Sequence, residues 1–159
     1  MKTIKIIVDG KEIEAQVNED DLTQIGKEKS NRQDEGNPYY YIDAWMTAEL
    51  DCDKNDDYTE QLYDCGNYFL TEKDCADAAR AVSLWLRMKR FADEHNKNNL
   101  GNHIICFDRY DKKLRAFRMM MGFDKLFQVY FDSEETARQA IEEFKDDLMW
   151  YFTEFGKEL

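Results

Sequence analysis

The chain predicts an α+β fold: an N-terminal β-hairpin, a long central helix, an antiparallel β-meander and a C-terminal helix packed on the sheet. Three patterns carry this. Residues 3–8 and 12–17 alternate around Asp9-Gly10, a pair that accepts the positive φ of a tight hairpin turn. Residues 72–95 repeat apolar side chains every three or four positions. Ala78, Val82, Trp85, Met88 and Ala92 form the seam, and Cys75, Ala79, Leu86 and Phe91 widen it, as on a helix packed against a sheet. One aromatic-then-cap device also occurs twice. Tyr68-Phe69-Leu70-Thr71-Glu72 opens the long helix and Tyr130-Phe131-Asp132-Ser133-Glu134 opens the last one, each with a hydroxyl at the N-cap.

Between these anchors the elements follow in order. After the hairpin, Asn18-Glu19-Asp20-Asp21 offers a cap and first-turn acids for a short helix through Leu22 and Ile25. Residues 27–37 hold no apolar side chain and precede Pro38, the only proline. They read as a flexible linker from residues 1–26 to a main domain over 38–159, or as a loop ordered by a partner within one continuous domain 1–159. Residues 39–50, rich in tyrosine, read as a strand, and residues 58–63 as its returning partner. The long helix would span about 36 Å. Strands over 103–107, 114–121 and 126–131, joined by short polar turns, make a meander. Ser133 then caps a helix through Ala137, Ile141, Phe144, Leu148, Phe152 and Phe155, with Gly156 as its C′ residue.

A hydrophobic share of 43% and an aromatic share of 14% supply a core, so this is not a disordered acidic tail. No apolar run approaches the roughly 18–20 residues of a membrane span, and Met1-Lys2-Thr3 leads straight into a strand without a signal-peptide core. The expectation is a cytoplasmic protein. Cys52, Cys65, Cys75 and Cys106 show no C-x-x-C spacing and read as reduced thiols; with only His95 and His103 beside them, a zinc site is hard to assemble. The net charge of −12 is uneven: residues 1–79 carry 20 acidic and 8 basic side chains, residues 80–118 carry 4 and 10, and residues 119–159 carry 10 and 4. Such a protein is repelled by nucleic acid and anionic membranes and drawn to basic surfaces, with its basic middle as the exception.

Catalytic patterns are weak. No G-x-G-x-x-G or P-loop occurs, no serine or cysteine sits in a recognisable elbow, and His103 and Cys106 would point to opposite sides of a strand. The loop Asp51-x-Asp53-x-Asn55-Asp56-Asp57 starts like a calcium loop, but Asp56 and Leu62 stand where glycine and glutamate are needed. The expectation is a non-enzyme with no metal and no cofactor.

Two charged sets remain as binding candidates. Residues 43–64 hold eight carboxylates against Lys54 alone, and Glu49, Asp51, Asp53, Asp56, Asp57, Glu60 and Asp64 form the candidate acidic face. In an extended segment Glu49, Asp51 and Asp53 would share one side at about 6.6 Å spacing, close to that of phosphates along a strand. The face reads either as a nucleic-acid mimic aimed at a basic protein groove or as a soluble edge that blocks strand pairing. The basic set, Arg109, Lys113, Arg115 and Arg118 among Phe107, Tyr110 and Phe117, reads either as a site for single strands or nucleotides or as a charge-balancing outer face. The net charge opposes nucleic acid, so the expectation is the outer face and no direct nucleic-acid partner.

Along most of its length the chain resembles accessory proteins of phages and prophages of Firmicutes and gut bacteria. The resemblance runs through Ile7-Val8-Asp9-Gly10-Lys11-Glu12-Ile13-Glu14, Tyr39-Tyr40-Tyr41-Ile42-Asp43, Gly66-Asn67-Tyr68-Phe69-Leu70-Thr71-Glu72, Met88-Lys89-Arg90-Phe91-Ala92 and Val129-Tyr130-Phe131-Asp132-Ser133-Glu134. These motifs are turns, caps and core, and carry no catalytic residue across. The resemblance implies interaction with host machinery, and acidic members of such sets include anti-CRISPR proteins that occupy nucleic-acid sites of Cas nucleases. Joined to the charge pattern, it leads to a first expectation: a non-enzymatic inhibitor of a host nucleic-acid-handling defence protein, a Cas nuclease among the candidates, acting through the acidic face. The alternatives are a binder that sequesters a phosphorylated signalling nucleotide at the basic set, and a phage structural or assembly module.

Overall fold

The repeated pentapeptide organises the fold. In the computed structural model, which describes residues 2–8, 11–17, 32–97, 101–119 and 128–155, the phenylalanine of each copy makes a single antiparallel bridge to the first strand of the preceding hairpin. Phe69 exchanges two 2.8 Å backbone hydrogen bonds with Tyr40, and Phe131 exchanges bonds of 2.8 and 3.0 Å with His103. Two residues later the hydroxyl caps a helix: Thr71 Oγ1 accepts the Asp74 N–H at 3.1 Å, and Ser133 Oγ accepts the Thr136 N–H at 3.1 Å. Hairpin, bridge and capped helix thus occur twice.

The first strands, β1 (Lys2–Val8) and β2 (Lys11–Val17), pair antiparallel with Val8 opposite Lys11, leaving Asp9-Gly10 as the two-residue connection. The short helix expected near Leu22 and Ile25 lies outside the described residues, as does the first part of the expected linker. Residues 32–37, the rest of that linker, are tied to the main domain: Gly36 N–H donates to the Asp53 carbonyl at 2.7 Å, and Asp53 N–H donates to the Asn37 carbonyl at 2.9 Å.

The strand expected over 39–50 is two strands, β3 (Pro38–Ile42) and β4 (Ala48–Cys52), paired antiparallel from Pro38–Cys52 to Ile42–Ala48. The chain reverses because Asp43 Oδ1 accepts the N–H groups of Trp45 at 2.9 Å and Thr47 at 2.8 Å, offering the backbone an alternative to the ladder. Met46 takes a positive φ of 60° in that turn. The returning strand expected over 58–63 is instead helix α1 (Asp57–Asp64). A capping box starts it: Asp56 Oδ1 accepts the Thr59 N–H at 2.9 Å, and Thr59 Oγ1 accepts the Asp56 N–H at 3.2 Å.

Helix α2 (Glu72–His95) has the predicted bounds, but its buried seam is Cys75, Ala79, Leu84, Met88 and Ala92. Val82 and Leu86, expected on that seam, are 42% and 40% exposed. At its end Asn96 stitches the two halves, donating from Nδ2 to the Tyr130 carbonyl and accepting the Asp132 N–H at Oδ1, both at 3.0 Å.

Of the expected meander, β5 (His103–Asp108) and β6 (Lys113–Arg118) form the hairpin. Within 128–131 the third segment contributes only the Phe131 bridge, which joins β5 and not β6. The last helix is divided at Phe144 (φ −110°, ψ 20°) into α3 (Glu134–Glu143) and α4 (Lys145–Thr153). Gly156 lies outside the described residues.

Two buried groups share α2. Its first half carries Cys75 and Ala79, both buried like Tyr39 of β3. Its second half puts Leu84, Met88 and Ala92 into one cluster with Ile105, Val129, Phe131, Ala137, Ala140, Ile141, Phe144 and Leu148. Between them Asp147 of α4 accepts from Arg80 at 2.8 Å and from Arg87 at 2.5 Å, and the Arg80 guanidinium lies 4.1 Å from the centre of the Trp150 ring. Among the described residues no helix is long and apolar enough to cross a membrane.

Candidate functional site

The acidic face is built on β4 and α1. In an antiparallel ladder, opposed residues share a side of the sheet. Glu49 stands opposite Tyr41, and Asp51 opposite Tyr39, so both carboxylates lie on the tyrosine side. Tyr39 is fully buried and stacks on Tyr68, with ring centres 4.4 Å apart and planes 4° apart. Burial first, then the Tyr58 hydroxyl and the carboxylates of Glu49, Asp51 and Asp43, pushes the Tyr41 hydroxyl above its ordinary pKa. Tyr41 therefore sits where the strand acids and α1 come together.

On α1, Asp57, Glu60 and Asp64 are all exposed and occupy positions i, i+3 and i+7, one side of a helix. The helical rise spreads them along about 10 Å. Asp56 is also exposed, but its carboxylate accepts the Thr59 N–H and hydroxyl, which hold it below the usual carboxylate pKa.

Asp53 does not belong to this face. It lies one residue past the end of β4, is 1% exposed, and turns inward. Arg32 grips it with two hydrogen bonds, Nε to Oδ2 at 2.9 Å and Nη2 to Oδ1 at 3.1 Å. The Tyr68 hydroxyl donates to Oδ2 at 3.0 Å and accepts the Gln33 N–H at 2.9 Å, while Asn55 N–H donates to Oδ1 at 2.8 Å. The Arg32 hydrogen bonds outweigh burial and hold this carboxyl far below the usual range. The expected row Glu49, Asp51, Asp53 thus stops at two members on β4, with Asp57, Glu60 and Asp64 as a second set along one side of α1. Asp51 is partly screened by Lys54 at 3.3 Å.

The same lock removes the calcium-loop reading, since Asp53, the second expected ligand, is saturated by Arg32, Tyr68 and Asn55. Among the described residues no three acidic, histidine or cysteine side chains cluster as a metal site. All four cysteines are free. Burial raises the Cys75 thiol to about 11 and also pushes Cys106 up, so neither is a ready thiolate. His95 stacks on Phe91 and bonds its carbonyl at 2.9 Å through Nδ1.

The basic set does not converge. Lys113 and Arg115 share one side of β6, while Arg118, paired with His103, points to the other. Arg115 is held by Asp108 and Asp111. These cations line a hairpin; they do not close around a small ligand. Arg32, Thr59 and Tyr68 hold the acidic unit and were missed by the sequence reading. The Asp56-x-x-Thr59 capping box was legible; Arg32, in a wholly polar stretch, gave no local signal. Compared with protein-family models, with curated proteins and with solved structures, the chain gives no match.

Proposed function

We propose that this chain is a non-enzymatic inhibitor of the phage accessory kind its sequence resembles. It acts in the cytoplasm of a bacterial host and occupies the basic nucleic-acid groove of a defence protein such as a Cas nuclease. The observation that supports this reading is the placement of five carboxylates, Glu49, Asp51, Asp57, Glu60 and Asp64, on one strand-and-helix unit whose only lysine is Lys54. The unit is held by the Arg32–Asp53 pair, whose carboxylate is buried, and by the Tyr39–Tyr68 stack, so little backbone entropy would be lost on binding. Charge complementarity of this kind speeds encounter and is screened by salt.

The test is a DNA-cleavage assay with a panel of purified RNA-guided nucleases, titrated with the protein at low and high salt. Inhibition that weakens steeply with salt, and is lost in the variant Asp57→Lys, Glu60→Lys, Asp64→Lys, is the expected result. Asp53 and Asp56 are left intact because they hold the fold. Equal inhibition by that variant, or no inhibition of any nuclease at either salt, overturns the reading. The nucleotide-sequestering alternative gains no support from the hairpin, where the cations run along two faces.

A further inference from the structure

The tip of the β5–β6 hairpin sorts its own charges. Asp108 Oδ1 accepts the N–H groups of Tyr110 at 3.0 Å and Asp111 at 3.1 Å, and its Oδ2 lies 3.0 Å from Arg115 Nε. Asp111 takes another nitrogen of the same guanidinium. Both carboxylates of the hairpin are therefore committed to Arg115. Arg109, Lys112 and Lys113, all exposed, form no ion pair among the described residues. The chain has 34 acidic side chains for 22 basic ones, and Arg32, Lys54, Lys73, Arg80, Arg87, Lys89 and Arg138 each hold a carboxylate. Three neighbouring cations left over in so acidic a chain are available to an external anion.

Aromatic rings stand beside them. Tyr110 is 95% exposed between Arg109 and Lys112. Phe117, 58% exposed, lies on the same side of β6 as Lys113 and Arg115, since alternate residues of a strand share a face at about 6.6 Å spacing. Cations interleaved with rings that offer open faces are what an unpaired polynucleotide needs: phosphates for the first, bases for the second. A duplex hides its base faces, so the rings would gain nothing from it. A membrane is a continuous anionic plane that a chain of net charge −12 would meet over a wide area, whereas a single strand is narrow enough to touch the hairpin alone.

We infer that the tip and outer face of the β5–β6 hairpin bind single-stranded nucleic acid, with Tyr110 and Phe117 stacking on bases and Arg109, Lys112 and Lys113 contacting phosphates. This surface belongs to a different hairpin from the acidic face and shares no residue with it.

Fluorescence anisotropy with labelled oligo(dT) and oligo(U) of about 15 nucleotides tests it, with a duplex of equal length as control. Single strands should bind and the duplex should bind more weakly. Between about 50 and 200 mM salt, log K should fall with log salt at a slope of about −2, three phosphate contacts at about 0.7 each. Tyr110→Ala with Phe117→Ala should weaken binding about tenfold or more without changing the slope. Lys112→Gly and Lys113→Gln should each flatten the slope by about 0.7. Circular dichroism would check the fold of each variant. No anisotropy change at low salt overturns the proposal, and so does unchanged binding by the double aromatic variant. Flotation with phosphatidylglycerol vesicles in the absence of oligonucleotide binding would also overturn it and assign the hairpin to membranes. The variant Asp57→Lys, Glu60→Lys, Asp64→Lys should keep oligonucleotide binding, so failure of this proposal and failure of the inhibitor reading are separable.

Discussion

Arg32 and Asp53, 21 residues apart in the chain, meet through two hydrogen bonds of 2.9 and 3.1 Å at a carboxylate that is 1% exposed. Removing the cation would leave that carboxylate buried with only the Tyr68 hydroxyl and the Asn55 N–H to compensate it. Arg32→Ala should therefore cost about 3–5 kcal/mol, read as a lower urea midpoint at unchanged m-value. Arg32→Ala combined with Asp53→Ala should cost clearly less than the two single changes added together, because the second change removes the stranded charge.

The same pair sets a pH dependence. The folded Asp53 carboxyl titrates below its unfolded value, so its contribution is fully present above about pH 4 and is lost as pH falls toward the folded value. Asp43, Asp56, Asp108 and Asp147 are shifted in the same direction, by backbone N–H groups in the first three and by Arg87 and Arg80 in the last. Melting temperature should stay level from about pH 7 to pH 5 and drop on further acidification. Asp53→Asn should lower the plateau and make the drop shallower.

Gly101 packs against the second copy of the pentapeptide. A Cβ built there would lie 3.0 Å from Tyr130 Cβ and 3.1 and 3.2 Å from the carbonyl carbons of Tyr130 and Phe131. Backbone cannot swing away as a side-chain end can, so Gly101→Ala should cost about 1–3 kcal/mol in urea unfolding. Gly66, which has open space around it but a φ of +76°, should instead lose about 1 kcal/mol on substitution by alanine through strain alone.

Lys112 holds a φ of 54° at the hairpin tip, a conformation that costs an L-residue about 1 kcal/mol and glycine almost nothing. Lys112→Gly should leave the protein as stable or slightly more stable by chemical denaturation. The same substitution should weaken oligonucleotide binding, so stability and binding move in opposite directions.

What could be read in advance was whatever short-range chemistry writes into neighbouring residues. The hydroxyl caps Thr71 and Ser133, the bounds of α2 and the pairing of β1 with β2 are all local, and the structure has them. The errors arise where a local hydrogen bond competed with a propensity. Tyrosine-rich residues 39–50 suggested one strand until Asp43 captured two N–H groups, and Tyr58 to Tyr63 suggested a strand although Asp56 and Thr59 form a capping box. The candidate site suffered from the opposite scale. Counting carboxylates placed Asp53 on the surface, and only the distant Arg32 reveals that it is inside; a contact across 21 residues leaves no periodic trace.

Because α2 gives Cys75 and Ala79 to one buried group and Leu84, Met88 and Ala92 to the other, the two groups cannot be divided along the chain. A fragment ending after the helix would carry three apolar residues with nothing to cover them, and one beginning after it would lack a wall of its core. The acidic face and the basic hairpin can therefore be separated by substitution and never by truncation, and any partner of one must accept the other as its passenger.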